Sequence, residues 1–252
     1  MIDLEQTGLE AVDRFITSWN SRDAKKWAES LQFPHVRPSP FGPIEISPTA
    51  EDYISKVDFQ RVIESGWDHS EWDYKRLVHL SNKKIHAVGQ WSRYNKIGEV
   101  ILTTPITYIV TCVNGNWGIQ SRFGSDYAGD EDTSGFESRA FRHMDAFVNS
   151  VNNQNQEACR ELLNYPHCVI HAGSIQMSGT PSEFRISEAK ITVESMMALQ
   201  SGIHSANLAM DINISDHQGI RSRQVVALIT DRNGHLGIQS WSTLDPNETD
   251  EE

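Results

Sequence analysis

Three residues near the start of an extended run, His69, Trp72 and Asp73, are of the types that proton transfer needs. A histidine titrates near neutral pH, a carboxylate can orient it, and an indole wall lowers the local dielectric, which makes His69 and Asp73 the candidate general base. The structural alternative is that Trp72 packs in a core while His69 and Asp73 cap a helix end or bond a turn. His35 and Arg37 stand two apart in an extended segment, hence on one side of it, where together they could bind a carboxylate. Equally, Pro34-His35 could close a helix and bond a backbone carbonyl, a reading that the recurrence of the histidine as His167 favours. Arg93-Tyr94 and Arg122 fall on strands, where alternation points one of the first pair inward to bind an anion or polarise a carbonyl; the alternative is a solvated arginine beside a packed tyrosine. The ligand-binding candidates are therefore His35, Arg37, Trp72, Arg93 and Tyr94.

Other chemistries find no footing. His167-x-x-x-His171 has metal-ligand spacing only on a helix; in an extended segment the two stand about 13 Å apart at 3.3 Å per residue, so no metal is assigned. G-x-S-x-G, G-x-x-x-x-G-K-S/T, G-x-G-x-x-G and H-E-x-x-H do not occur, so no cofactor is implied.

The elements that must position these residues occur twice. Asn114-Gly115-Asn116-Trp117-Gly118-Ile119-Gln120-Ser121 returns as Asn233-Gly234-His235-Leu236-Gly237-Ile238-Gln239-Ser240. Asn-Gly between β-rich runs predicts a type I′ hairpin, so each copy marks the last hairpin of a sheet. Upstream, Val12, Phe15, Ile16 and Trp19 lie on one helical stripe, and Met144, Phe147, Val148 and Val151 repeat it 132 residues later. The register holds to Phe33-Pro34-His35 and Tyr165-Pro166-His167. Between them a second short helix buries Trp27 and Leu31, or Cys159 and Leu163, and the proline ends it. Thr49-x-x-Asp52 and Thr180-x-x-Glu183 predict N-caps of a third helix, carrying Tyr53, Val57 and Val62 in copy one and Phe184 and Met196 to Leu199 in copy two. Strands follow over 74–80, 84–94, 99–112 and 116–123; aligning His69-Ser70 with His204-Ser205 leaves copy two three strands, over 207–214, 221–230 and 235–242. The domains expected are 8–125, complete, and 138–245, with a shortened sheet, joined by an acidic linker at 126–137 and followed by an acidic tail at 246–252.

A formal net charge of -12 argues against nucleic acid and anionic membrane surfaces as partners. Three cysteines, Cys112, Cys159 and Cys168, have no C-x-x-C spacing and fit a reducing compartment. With no signal-like start and no long apolar run, the expectation is a cytoplasmic protein, in which the sequons at Asn213 and Asn247 are idle.

Phe33-Pro34-His35-Val36-Arg37, Gly66-Trp67-Asp68-His69-Ser70-Glu71-Trp72-Asp73, Arg93-Tyr94 with Gly98, and Gly115-Asn116-Trp117-Gly118-Ile119-Gln120-Ser121 together resemble the nuclear-transport-factor-2-like (NTF2-like, SnoaL-like) superfamily, and within it a bacterial branch without assigned activity. Copy two keeps the Pro-His, His-Ser and Gly-Ile-Gln-Ser elements but lacks the tryptophans, the aspartate and the Arg-Tyr pair. The resemblance covers about 110 residues of each half and implies an α+β cone, three helices against a strongly curved antiparallel sheet, with a pocket in its mouth. Ketosteroid isomerase and its cone-sharing relatives have catalytic patterns that do not map here, so none of their residues is carried over. The expectation is a tandem duplication forming an intramolecular pseudo-dimer through the two sheets, with room for a further homodimer. The first cone is expected to bind a small, largely apolar molecule. The alternatives are a cofactor-independent lyase, isomerase or hydrolase using His69 or Asp73, and a structural interaction module.

Overall fold

The computed structural model describes residues 3–244, so the acidic tail expected at 246–252 and the start at Met1-Ile2 lie outside the described residues. The chain divides into two compact units: residues up to Arg37 with Glu45–Gly124 and Ala172–Ser174, and Pro38–Ile44 with Ser125–His171 and residues from Ile175 on.

The first unit opens with α1 (Leu4–Asn20), capped by the Asp3 carboxylate accepting from the Gln6 amide, and the stripe Val12, Phe15, Ile16 and Trp19 is buried as its spacing predicts. Short α2 (Ala24–Ala28) leads into β1 (Leu31–Arg37), and β2 (Glu45–Ser47) pairs back on it. Pro34 therefore sits inside a strand, and α2 ends before Leu31. Thr49 caps α3 (Ala50–Lys56) by accepting from the Asp52 amide, and α4 (Phe59–Glu64) follows as a separate turn. Strands β3 (His69–Leu80), β4 (Lys84–Tyr94), β5 (Val100–Val113) and β6 (Asn116–Gly124) form an antiparallel meander. β1 joins β6 in parallel, giving the order β2-β1-β6-β5-β4-β3 and a mixed sheet rather than the all-antiparallel one expected.

The second unit repeats this plan with α5 (Ser134–Asn152), α6 (Gln156–Glu161), β7 (Leu163–His171), β8 (Ser174–Ser178), β9 (Lys190–Ser201), β10 (Ser205–Asp216), β11 (Gly219–Arg232) and β12 (His235–Leu244), ordered β8-β7-β12-β11-β10-β9. Both closing hairpins turn through two residues with positive φ, Asn114 (51°) with Gly115 (78°) and Asn233 (56°) with Gly234 (83°), as type I′ requires.

The sheet of copy two is not shortened. Its expected third helix is absent: Thr180 and Glu183 bond each other as a cap would, but no helix follows. Met196 to Leu199 instead belong to β9, the counterpart of β3 at a separation of 121, as His69 with Lys190 and Leu80 with Ser201. The separation falls from 131 at Ser47 and Ser178 to 121 at the next strand, so copy two has lost its helical segment and kept every strand. Matching the two His-Ser dipeptides misplaced the loss, since His204-Ser205 lies at the turn into β10.

The acidic stretch 126–137 is more than a solvated linker. Its last residues start α5, and Asp126 is buried, its carboxylate accepting from the Ile203 amide at 2.6 Å, the His204 amide at 3.0 Å and the Ser205 hydroxyl.

Candidate functional site

In the first domain β1 and β6 run side by side, and this brings His35 to Arg122. The Nδ1 of His35 lies 3.0 Å from the Ile119 carbonyl, which can only accept, so Nδ1 carries the proton. Nε2 is then an acceptor and takes a hydrogen bond from Nε of Arg122 at 3.2 Å. Arg122 also donates from its terminal nitrogen to the Tyr53 hydroxyl at 3.0 Å, and its guanidinium carbon lies 5.0 Å from the Phe15 ring and 5.5 Å from that of Trp27.

Burial and neighbouring cations set the charges. His35, 1% exposed, is held well below the usual histidine range by burial, then by Arg122 and Arg37, and is neutral. Arg122, 6% exposed, is pulled down to about 10 by burial and by Arg37, so it remains a cation at neutral pH. Arg93 stands with its guanidinium carbon 5.2 Å from the Trp19 ring and 5.6 Å from that of Trp91; its buried Nε has no hydrogen-bond partner, and burial and the Arg37 charge lower its pKa. Arg37, half exposed, pairs with Glu45 at 2.9 Å. Among the described residues neither Arg122 nor Arg93 forms an ion pair with a carboxylate. Around them Trp19, Trp27, Phe59 and Trp67 pack ring against ring, with Trp19 and Trp27 centroids 4.4 Å apart. The Trp19, Trp27 and Trp72 indole nitrogens are buried without a partner. A buried cation and buried donors left over are costly unless a ligand supplies acceptors.

Of the residues singled out in the sequence, Arg37 thus stands within electrostatic reach of His35, Arg93 and Arg122, and Arg122 bonds His35. His69 and Asp73 do not form a pair: His69 bonds Asp68 through Nδ1 at 3.0 Å and stacks on Tyr94, with centroids 5.2 Å apart. Asp73, exposed at a bulge between Trp72 and Tyr74, accepts from Gln90 at 3.0 Å and Ser92 at 2.9 Å. The bulge gives β3 one extra residue there and turns Asp73 outward. Trp72 packs inward, edge-on to Tyr108. Tyr53 completes the group through its bond with Arg122, and in the sequence it reads only as an apolar helix position.

The second domain has the same frame with different contents. His167 again sets Nδ1 3.0 Å from a carbonyl, that of Ile238, and Phe184 stands edge-on to it as Tyr53 does to His35. Strand and helix register pair Arg37, Arg93 and Arg122 with Val169, Ile214 and Trp241, and Trp19, Trp27 and Tyr108 with Val151, Cys159 and Ala227. The second domain has a cavity of about 190 Å³ lined by Phe147, Val151, Val169, Phe184, Ile238 and Trp241, with His167 in its wall. His167 and His171 share the extended β7, the former buried and the latter exposed. No described helix is long and apolar enough to cross a membrane.

No family model matches the chain, and no curated protein does. Solved structures match about half of it at a time. An NTF2-like protein of unknown function from Shewanella oneidensis is 16% identical over 47% of this chain and 95% of its own, with a TM-score of 0.39. Another from Pseudomonas putida is 8% identical over 47% and 92%, with a TM-score of 0.39. A putative ketosteroid isomerase from Shewanella frigidimarina is 13% identical over 44% and 98%, with a TM-score of 0.38. The two halves of this chain are tandem α+β domains on one repeated plan, and each half is similar to NTF2-like structures such as these.

Proposed function

We propose that this chain binds small molecules and that its first domain takes an organic anion, a carboxylate on a largely apolar, ring-sized body. One observation carries this reading: Arg122 is a buried cation with no carboxylate partner among the described residues, and the half-buried Arg93, also without one, has its Nε buried and unbonded. Glu45 pairs with Arg37 and its charge also reaches Arg122, but one carboxylate stands against three guanidinium groups, so the group keeps an excess of positive charge. In a low-dielectric interior an arriving carboxylate gains most from such a preformed fork, and the rings around it suit an apolar body. Neutral His35 fixes the guanidinium through its Nε without competing for the anion.

Benzoate and its uncharged isostere benzamide form the probe pair. Calorimetric titration should give saturable benzoate binding, no benzamide binding, and loss of the benzoate signal in Arg122→Met and Arg93→Met. His69→Ala and Asp73→Ala should bind benzoate as the parent does. Equal binding of the two probes, or benzoate binding that survives Arg122→Met, would overturn the reading.

A further inference from the structure

The same histidine serves a different end in the second copy. In the first domain Nε2 of His35 accepts from Arg122. At the position of Arg122 the second domain has Trp241, whose indole nitrogen donates instead to the Thr243 hydroxyl at 2.5 Å. His167 still gives its Nδ1 proton to the Ile238 carbonyl, so its Nε2 is a lone-pair acceptor with no partner among the described residues. His167 is 4% exposed and borders the cavity. Burial holds it down to about 4, so the ring is neutral and the lone pair available at ordinary pH.

The cavity around that acceptor is apolar. Phe147, Phe184 and Trp241 supply rings, and Val151, Val169 and Ile238 supply aliphatic walls. The one cation on the lining is Arg185, an exposed residue that donates to the carbonyls of Ser182 and Phe184. A carboxylate would meet no buried positive charge here and would face a lone pair, so the chemistry that suits the first domain is disfavoured in the second. A cavity of roughly 150 Å³ admits a benzene-sized molecule. At about 190 Å³ this one has room for a ring and a small substituent.

We infer that the second domain holds a separate site for a small neutral molecule of single-ring size carrying one O–H or N–H, which donates to Nε2 of His167 while the ring lies among Phe147, Phe184 and Trp241. The chain then carries two sites of opposite preference, one for an anion and one for a neutral donor.

Trp241 is the sole tryptophan of the second unit, so 19F NMR of protein labelled with 5-fluorotryptophan reads this site directly. Phenol should shift the Trp241 resonance saturably, and anisole, the same ring without the donor, should bind about ten-fold more weakly, as one buried hydrogen bond is worth. His167→Asn keeps a donor toward the Ile238 carbonyl and removes Nε2, so phenol should fall to the level of anisole while anisole is unchanged. Val151→Trp restores the bulk found in the first domain and should abolish both; Val151→Phe is the milder variant should the tryptophan disturb folding. Equal affinity for phenol and anisole, phenol binding that survives a folded Val151 variant, or a Trp241 resonance that no probe moves would overturn the inference. Benzoate is read at the first-domain resonances, so the two sites fail or stand separately.

Discussion

Replacing His167 by asparagine should remove a defined share of the acid sensitivity of the second domain. The folded pKa, about 4, lies below the histidine value of 6.5, and burial is the leading cause. A base whose folded pKa is depressed contributes stability above the unfolded value, and that contribution is lost as pH falls toward the folded value, because only the unfolded chain takes up the proton in between. At 1.36 kcal/mol per pKa unit, the loss between pH 7 and pH 4.5 is about 2 to 3 kcal/mol, a large part of an ordinary domain stability. Asparagine keeps the donor to the Ile238 carbonyl but cannot titrate. It forfeits the edge-on contact with Phe184, at a cost of about 1 to 2 kcal/mol at every pH. Urea unfolding followed at the Trp241 19F resonance, at pH 7, 6, 5 and 4.5, should therefore show the variant weaker at pH 7 and the gap closing toward pH 4.5. Parallel stability curves for parent and variant would refute the argument, since they would mean that His167 is not held neutral by burial.

Other changes test the remaining parts. Arg122→Met should leave folding stability within about 2 kcal/mol of the parent, because relief of a buried cation pulled down to about 10 is offset by unpairing His35 Nε2 and the Tyr53 hydroxyl, as urea unfolding at pH 7 would show. Trp27→Ala should cost the first domain about 3 to 5 kcal/mol by opening a cavity beneath Arg122, read in the same experiment. Gly118→Ala and Gly237→Ala should each cost about 1 to 3 kcal/mol, since a Cβ would stand 2.8 Å from the Leu31 backbone or 2.7 Å from that of Asn164, with no side-chain end free to yield. Asp126→Ala should lower the midpoint of the second domain alone, by removing the acceptor for two amides and a hydroxyl.

The elements set by local physics were legible in the sequence. A 3.6-residue stripe gives α1 and α5, Asn-Gly gives the two type I′ turns, and three of the four long strands of the first sheet lie within a residue of the expected bounds, while β3 starts at His69, five residues before the expected Tyr74. β9 was missed because Met196-Met197-Ala198-Leu199 puts apolar residues next to one another, which reads as helix, while β10 and the short loop before Lys190 decide for a strand. The cluster was legible in part. His35 pairs with Arg37 on one strand in the sequence, and Arg93 and Arg122 stand out on others, but the approach of Arg122 to His35 comes from β1 lying parallel to β6, which has no local signal. Tyr53 and its link to Arg122 become legible when the repeat is followed with its separations corrected: tyrosine becomes Phe184 where arginine becomes Trp241, a joint loss of a hydroxyl and the donor that bonds it.

The repeat also separates what the fold needs from what a ligand needs. Residues held in both copies do structural work that both sheets require: the histidine whose Nδ1 bonds the carbonyl of the parallel strand, the glycine against which that strand packs, and the Asn-Gly turn. Arg37, Arg93 and Arg122 are held in one copy, and all three become apolar in the other. Folding does not call for them, because the second domain closes the same six-stranded sheet without any of them, and a buried guanidinium lacking a counter-ion opposes folding. A costly group kept in one copy of a fold that stands without it is explained by what it binds. By the same reasoning the lone pair of His167, satisfied by protein in one copy and left to a cavity in the other, is where the second domain differs in purpose.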